Sequence, residues 1–304
     1  MKLAALNTLV AAIEEGSLRS AARRVGVSQP ALTKMIRELE LELGAPLLQR
    51  TSRGVLPTAQ GKVLFERAVK ARRELNLAVD EIRQMGGRMV GEVHLGAVPL
   101  AVMLLIPETL RTFDREFPDI VLRVSEDLYV AQLQMLRSQK VDVTVGGIPD
   151  DLPTGEFHVE PLIKTSMVAT VKNGSPWLKA RRLVDLQQAR WVFTGADSAS
   201  GYAKLFFEHH GLTPPRAGAV VNSTLALLSL VATGDYIALM PRQIAMQPLA
   251  RQFISVIDIE EEGYELEVAA IVRSDSAMSP VLRHLVSHLH RAAHHANADA
   301  AAAG

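Results

Sequence analysis

The sequence predicts a multidomain protein in which an all-α N-terminal section and one long helix precede a larger α/β section. Three observations support this prediction. Residues 3–43 follow helical periodicity interrupted by glycines, residues 58–85 carry a helix-compatible heptad pattern, and short apolar strands alternate with helical segments after residue 90. We expect domain boundaries at 1–58, 59–87 and 88–304.

Composition limits the class of protein. With 304 residues, 48% of them hydrophobic, the chain can bury two or three cores. The absence of cysteine excludes disulfides and cysteine-based metal or nucleophilic sites, and it fits the reducing cytoplasm, where we expect the protein. No apolar run reaches the roughly 20 residues of a membrane-spanning helix, so we expect no membrane partner. The apolar start after Lys2 resembles a signal peptide, but acidic residues follow directly and favour a helix of the folded protein.

The net charge is zero but unevenly distributed. Residues 1–90 contain 15 Lys and Arg against 9 Asp and Glu, whereas residues 91–304 contain 18 against 24. A basic section followed by an acidic one indicates two tasks, one of which suits a polyanion.

The helix expected over residues 28–43 has two different faces. Ser28 is its predicted N-cap and Gly44 its predicted end. One face is an apolar stripe at helical spacing, and the opposite face is rich in hydrogen-bond donors. The stripe contains Leu32, Ile36, Leu39 and Leu43, and the polar face contains Gln29, Pro30, Thr33, Lys34 and Arg37.

Two shorter helical patterns upstream and a basic hairpin downstream complete a winged helix-turn-helix. The turn TSRG between LLQR and VLPT is typical of a β-hairpin, and it carries Arg50 and Arg53. In such a motif the second helix enters the DNA major groove, where Gln pairs with adenine, Arg pairs with guanine, and Pro30 or the Thr33 methyl meets a thymine methyl. Arginine in a wing suits a narrow minor groove. The alternative is a small helical domain with a solvated face.

The stretch EEGSLRSAARRVGVSQPALTKMIRELELELGAPLLQRTSRGVLPTAQG resembles the winged helix-turn-helix of LysR-type transcriptional regulators. The shared features are the small residues, Ser-Gln-Pro-Ala-Leu, Leu-Glu, Leu-Gly, the arginine and Thr-x-x-Gly, while Pro57 ahead of Thr58 departs from the pattern. The resemblance implies double-stranded promoter DNA as a partner. The residues that it places against DNA are Gln29, Pro30, Thr33, Lys34 and Arg53.

A long helix is predicted from its N-cap Thr58 to Met85, before Gly86-Gly87. An unbroken heptad seam favours a coiled-coil partner, whereas the alternative is a helix packed on its own domain. The resemblance implies the former, because LysR-type regulators dimerise through this helix and commonly form tetramers. The seam residues are Leu64, Ala68, Ala71, Leu75, Ala78, Ile82 and Met85.

The α/β section begins after these glycines. VHLGAV, IVLRVSE and VDVTVGG are predicted strands with helical segments between them, which indicates a βαβαβ unit and a parallel sheet. SMVATVK, WVFTG, AVVNS and YIALMP form a second set, and FISVID and YELEVAAIVR are late strands. Two sheets with a cleft resemble the periplasmic-binding-protein-like effector domain of the same family, with subdomain I at about 91–162 and 268–304 and subdomain II at about 163–267.

A ligand site is predicted at the carboxyl ends of these strands, where open α/β sheets bind ligands. Pro99 is expected in the first turn of a helix whose free N–H groups suit an anion, and the glycines allow a ligand close to the backbone. The alternative is a set of ordinary turns. The expected effector-binding residues are Val98, Pro99, Leu100, Gly146, Gly147, Thr194, Asp197, Ser198, Ser223 and Pro241.

The effector half most resembles regulators of aromatic acid and aromatic sulfonate breakdown, which implies a small organic effector. This chain has Val98 where many relatives have Ser or Thr, so a hydroxyl for a carboxylate is missing there. Asp197 adds a negative charge near the expected cleft.

Enzyme and metal functions have little support in the sequence. It contains no phosphate-binding, dinucleotide-binding, nucleophile-elbow or zincin motif, so we expect no catalytic residue and no cofactor. The last helix carries His284, His288 and His295, which a metal-responsive regulator would use. Its apolar positions predict that these histidines face water, so we expect no metal. The remaining alternative is a ligand-binding protein or enzyme with a vestigial helical domain.

Overall fold

The computed structural model describes residues 1–51, 54–126, 129–149, 152–195, 202–274 and 278–302. The chain divides into two compact units, Met1–Arg88 and Met89–Gly304. Within the described ranges, no helix combines the length and apolar character required to span a bilayer.

Three helices open the first unit: α1 (Leu3–Glu15), α2 (Leu18–Val25) and α3 (Gln29–Leu43). The predicted ends of α3 are confirmed, because the Ser28 hydroxyl accepts the Ala31 N–H at 3.3 Å and Gly44 follows the helix with φ of 64°. Of the predicted buried stripe, Leu43 is wrong: it is 44% exposed, since the apolar clusters of this unit end one turn earlier.

A two-stranded wing follows, made of β1 (Leu48–Thr51) and β2 (Gly54–Pro57) in antiparallel pairing. The Glu40 carboxylate on α3 accepts the backbone N–H groups of Leu47 at 2.8 Å and Leu48 at 3.2 Å. This side chain therefore joins the end of α3 to the start of the wing.

The long helix α4 (Ala59–Met85) has the predicted limits, with the Thr58 side chain as its N-cap. Leu64 and Ala68, at the start of the predicted seam, pack on α1 within the same unit. Further along, Leu75 is 49% exposed. The first part of the seam is thus covered by its own unit, and the rest presents apolar side chains at the surface.

The second unit is built on one nine-stranded sheet in the order β4-β3-β5-β11-β6-β9-β7-β8, with β10 paired to β6. Its strands are β3 (Gly91–Ala97), β4 (Ile120–Glu126), β5 (Val143–Gly147), β6 (Phe157–Lys172), β7 (Arg190–Thr194), β8 (Ala217–Val221), β9 (Tyr236–Pro241), β10 (Ile254–Val256) and β11 (Tyr264–Arg273). β3 pairs in parallel with β4 and β5, and β7 pairs in parallel with β8 and β9. The antiparallel strands β6 and β11 connect these two parallel groups.

β6 begins nine residues earlier than the strand predicted from SMVATVK, because its first half pairs with β11 over the length of that strand. The pairing contains a register shift between Val268 and Ala269. The two long strands join the half of the unit that contains β3, β4 and β5 to the half that contains β7, β8 and β9.

Helices cover both halves of this sheet. They are α5 (Pro99–Leu104), α6 (Ile106–Glu116), α7 (Tyr129–Arg137), α8 (Tyr202–His209), α9 (Thr224–Thr233), α10 (Arg242–Ala245), α11 (Pro248–Arg251) and α12 (Pro280–Ala302). Short 3-10 turns lie at Pro176–Lys179 and Leu183–Leu186. One core joins β3, β5 and β11 to α6 and α12, and a second surrounds Trp191 and the aromatic residues of α8.

The prediction that His288 faces water is wrong. This residue of α12 is 1% exposed and packs edge-on against Phe113, with ring centroids 5.3 Å apart. Its Nδ1 lies 2.7 Å from the Thr112 hydroxyl, and its Nε2 lies 3.1 Å from Glu116. Burial and the nearby Arg291 lower the pKa of His288, against the opposing effect of Glu116. The surroundings of His288 between α6 and α12 therefore favour the neutral form of its ring.

Candidate DNA-binding surface and effector cavity

The donor-rich face of α3 lies at the surface of the first unit. Gln29, Pro30, Lys34 and Arg37 are exposed, and Thr33 is half-buried. The Thr33 hydroxyl donates to the Gln29 carbonyl at 2.9 Å, so it serves the helix itself. The amide of Gln29 and the guanidinium of Arg37 offer the paired hydrogen-bonding groups that read base edges in a major groove.

The wing residues are only partly described. Arg50 belongs to β1, where its backbone lies opposite Val55, but its side chain lies outside the described part of the chain. Arg53 also lies outside the described residues.

Ion pairs connect α1, α2 and α4 of the first unit. Arg24 on α2 contacts Glu14 at 2.6 Å and Glu15 at 3.2 Å, and Arg72 on α4 contacts Glu14 at 3.3 Å. The Glu14 carboxylate raises the pKa of Arg24. Arg24 and Arg72 therefore join α2 and α4 to the end of α1.

The second unit contains a cavity of about 150 Å³ at the carboxyl ends of β3, β5, β7 and β9. This is the edge at which open α/β sheets bind ligands. Six of the expected effector-binding residues lie in its wall: Val98, Pro99, Leu100, Gly147, Thr194 and Pro241.

Most of the cavity wall is apolar, and several apolar residues come from the crossing strands and the helices α8 to α10. Among the described lining residues there is no lysine, arginine, histidine or carboxylate. The polar side chains in the wall are Thr165, Thr194, Tyr202 and Thr224. The apolar lining residues not named above are Met167, Leu205, Leu227, Leu239, Met240, Ile244, Leu266 and Val268.

Two predicted site residues lie outside the lining. A β-carbon on Gly146 would clash with the Gln132 amide of α7, so this glycine makes room for a buried side chain on the other face of β5. The Ser223 hydroxyl accepts the Ala226 N–H at 3.4 Å and caps α9. Asp197 and Ser198 lie outside the described residues.

Strands β6 and β11 contribute lining residues that were not predicted from the sequence. Thr165 and Met167 lie on one face of β6, and Leu266 and Val268 lie on one face of β11. Alternation along each strand is visible in the sequence, but the register that brings Thr165 opposite Leu266 is not.

The cavity suits a small ligand with an apolar body. Burying such a body contributes roughly 25 cal/mol for each Å² of apolar surface removed from water. The hydroxyls and the backbone N–H groups at the start of α5 can then orient the polar parts of the ligand.

An exposed donor-rich helix with a wing, followed by a sheet domain with a cavity, is the arrangement expected of a ligand-responsive DNA-binding protein. Residues 3–62 match the family described as bacterial regulatory helix-turn-helix protein, lysR family, and residues 86–294 match the LysR substrate binding domain. The chain belongs to the LysR family, and it is a DNA-binding transcriptional regulator with a substrate-binding domain.

The matches to curated relatives extend over most of this chain and most of each relative. The transcriptional regulator TfdS of Cupriavidus pinatubonensis is 30% identical, over 93% of this chain and 96% of the relative. The transcriptional regulator GalR of Pseudomonas putida is 28% identical, over 90% of this chain and 70% of the relative.

Solved structures show the same fold. Full-length CbnR complexed with its target DNA has a TM-score of 0.73 and 23% identity, covering 96% of this chain and 100% of that chain. Full-length BenM has a TM-score of 0.55 and 24% identity, covering 99% of this chain and 98% of that chain.

Proposed function

We propose that this regulator reads promoter DNA through the polar face of α3 and through the wing, and that a small organic effector in the cavity controls the response. The exposed donors on α3 are the observation that supports the DNA-reading part. Gln29 and Arg37 are the candidates for base contacts, and Lys34 is the candidate for phosphate contact, because a lysine ammonium acts as a point charge. Ser28 caps α3 and Pro30 lies in its first turn, and Thr33, Arg50 and Arg53 complete the proposed surface.

We propose that two copies pair along α4. Leu75 and the apolar residues that follow it on this helix are exposed within one chain, and burying them against a second copy would remove that surface from water. CbnR, a protein of the same fold, has been solved in complex with its target DNA, which supports DNA as the ligand of the first unit. A homodimer offers two reading helices to DNA, and two dimers would form a homotetramer. Because its target is chromosomal DNA, the regulator is expected to act in the bacterial cytoplasm.

The proposed effector is a small aromatic acid. Its ring would contact Val98, Leu227 and the other apolar residues of the wall. Its carboxylate or sulfonate would lie near the backbone N–H groups after Pro99, with Thr194 reaching it from the other half of the unit. A ligand held by both halves favours one arrangement of them, which is how binding would reach the DNA-binding domains. No catalytic step and no cofactor are proposed.

A competition experiment with promoter fragments tests the DNA-reading role. Gln29→Ala should remove about 1–3 kcal/mol of discrimination at one base position, because a base-reading amide is lost. Lys34→Ala is the matched control from the same face: it should weaken all sequences alike and reduce the salt dependence of binding. Unchanged base preference in Gln29→Ala would mean that α3 does not read the operator through this residue.

A further inference from the structure

The side chain of Thr165, on strand β6, contributes a hydroxyl to a cavity wall that is mostly apolar. Thr165 is 5% exposed and lies opposite Leu266 of β11. Met167, two residues further along β6, lines the cavity from the same face. The Thr165 hydroxyl is therefore one of the few polar groups that the described cavity wall offers to a ligand.

The hydrogen bonds around Thr165 determine what that partner must be. The Thr165 hydroxyl donates to the side-chain oxygen Oε1 of Gln243 on α10. The Nε2 group of Gln243 donates to the Lys164 carbonyl at 3.3 Å. Reversing the amide would direct its oxygen at that carbonyl oxygen, so the amide holds this orientation. The single proton of the Thr165 hydroxyl is thereby used, and only its acceptor capacity remains for a ligand.

We propose that Thr165 determines effector specificity, and that the effector is a hydroxylated aromatic acid whose ring hydroxyl donates a hydrogen bond to Thr165. The inference rests on the proposed function, since it concerns the same cavity. An analogue without the hydroxyl leaves the acceptor unpaired. An analogue with a methoxy group places an acceptor against an acceptor. A site built around a hydrogen bond rejects both, whereas a purely apolar wall separates such analogues only weakly.

Calorimetric titration of the full-length protein tests the inference with benzoate, the three hydroxybenzoates and the matching methoxybenzoates as probes. In the wild type, one hydroxybenzoate should bind about tenfold more tightly than benzoate, and its methoxy counterpart should show no such gain. In Thr165→Val, which removes the hydroxyl at nearly constant size, the ratio should fall to about one.

Three further variants separate the direction of the hydrogen bond from general damage to the cavity. Thr194→Val removes another hydroxyl of the same cavity and should weaken all probes while the hydroxybenzoate preference stays. Thr165→Ser keeps the acceptor and should keep the preference, which guards against misfolding of the valine variant. Gln243→Met frees the Thr165 proton, so methoxybenzoate binding should improve.

The outcomes are distinguishable. Equal hydroxybenzoate preference in wild type and Thr165→Val, or methoxybenzoate binding as tight as hydroxybenzoate binding in the wild type, overturns the role of Thr165. If benzoates bind without any hydroxyl preference, the proposed function stands and this inference falls. If no probe binds the wild type, both the aromatic-acid proposal and this inference fall.

Discussion

Replacing Gly61 by alanine should destabilise the first unit, because the start of α4 lies against the backbone that precedes the wing. Gly61 is the third residue of α4, and its N–H donates to the capping Thr58 hydroxyl at 3.0 Å. The Leu47 carbonyl oxygen accepts the Thr58 N–H, also at 3.0 Å. The start of α4 thus lies against the backbone just before the wing, and only glycine leaves room for that approach.

The expected loss follows from these contacts. A β-carbon on Gly61 would lie 2.9 Å from the Leu47 carbonyl carbon and closer still to its oxygen, so the two backbones must separate by roughly 1 Å. Leu47 is 1% exposed and packs with Leu9 and Leu39, so it cannot move freely. Overpacking costs about 1–3 kcal/mol and the strained hydrogen bond about 1 kcal/mol, while alanine regains about 1 kcal/mol of helix propensity. The net destabilisation should be about 1–3 kcal/mol.

Hydrogen exchange followed by mass spectrometry of the full-length protein measures this loss. Amides of α1 to α3 that exchange through unfolding of the first unit should exchange about 5- to 160-fold faster in Gly61→Ala. The sheet amides of the second unit provide an internal control and should not change. Gln60→Ala, at the exposed neighbouring position, should stay within about 0.5 kcal/mol of wild type. Wild-type exchange rates in Gly61→Ala would refute the steric argument.

Three other changes have definite expected outcomes. Leu75→Lys should prevent the proposed pairing along α4, because two chains would then place like charges on the exposed α4 surface. Sedimentation should show a dimer in wild type and monomers in the variant, and a dimer in both would exclude this interface. Val98→Ser should strengthen binding of small polar anions by adding a hydroxyl to the cavity wall, and unchanged calorimetric affinity would count against the proposed anion position. For His288 the folded-state pKa is lowered, so its contribution to the free energy of unfolding is present above the unfolded pKa of about 6.5 and is lost as the pH falls through and below that value. Urea titrations followed by tryptophan fluorescence should show that loss in wild type and a weaker pH dependence in His288→Gln; equal slopes would contradict it.

Local patterns in the sequence were sufficient for the helices of the first unit. Ser28 and Thr58 cap α3 and α4, and Gly44 ends α3, as predicted. These features depend on backbone groups within one turn, so the residues that decide them are neighbours in the sequence. The same holds for the strand ends that carry Val98 and Thr194 to one edge of the sheet.

The sequence by itself therefore determined the order of the main elements, the caps of α3 and α4, the family and the edge of the sheet where the cavity lies, whereas the start of β6 depended on its pairing with β11. Only the tertiary structure decided which side chains face one another. His288 is buried because α12 packs on Thr112 of α6, which is 176 residues away, and Thr165 is restricted to accepting because Gln243 lies beside it, 78 residues away. Gly146 and Gly147 are neighbours with opposite roles, since consecutive strand residues point to opposite faces and only the packed sheet shows which face meets α7 and which meets the cavity.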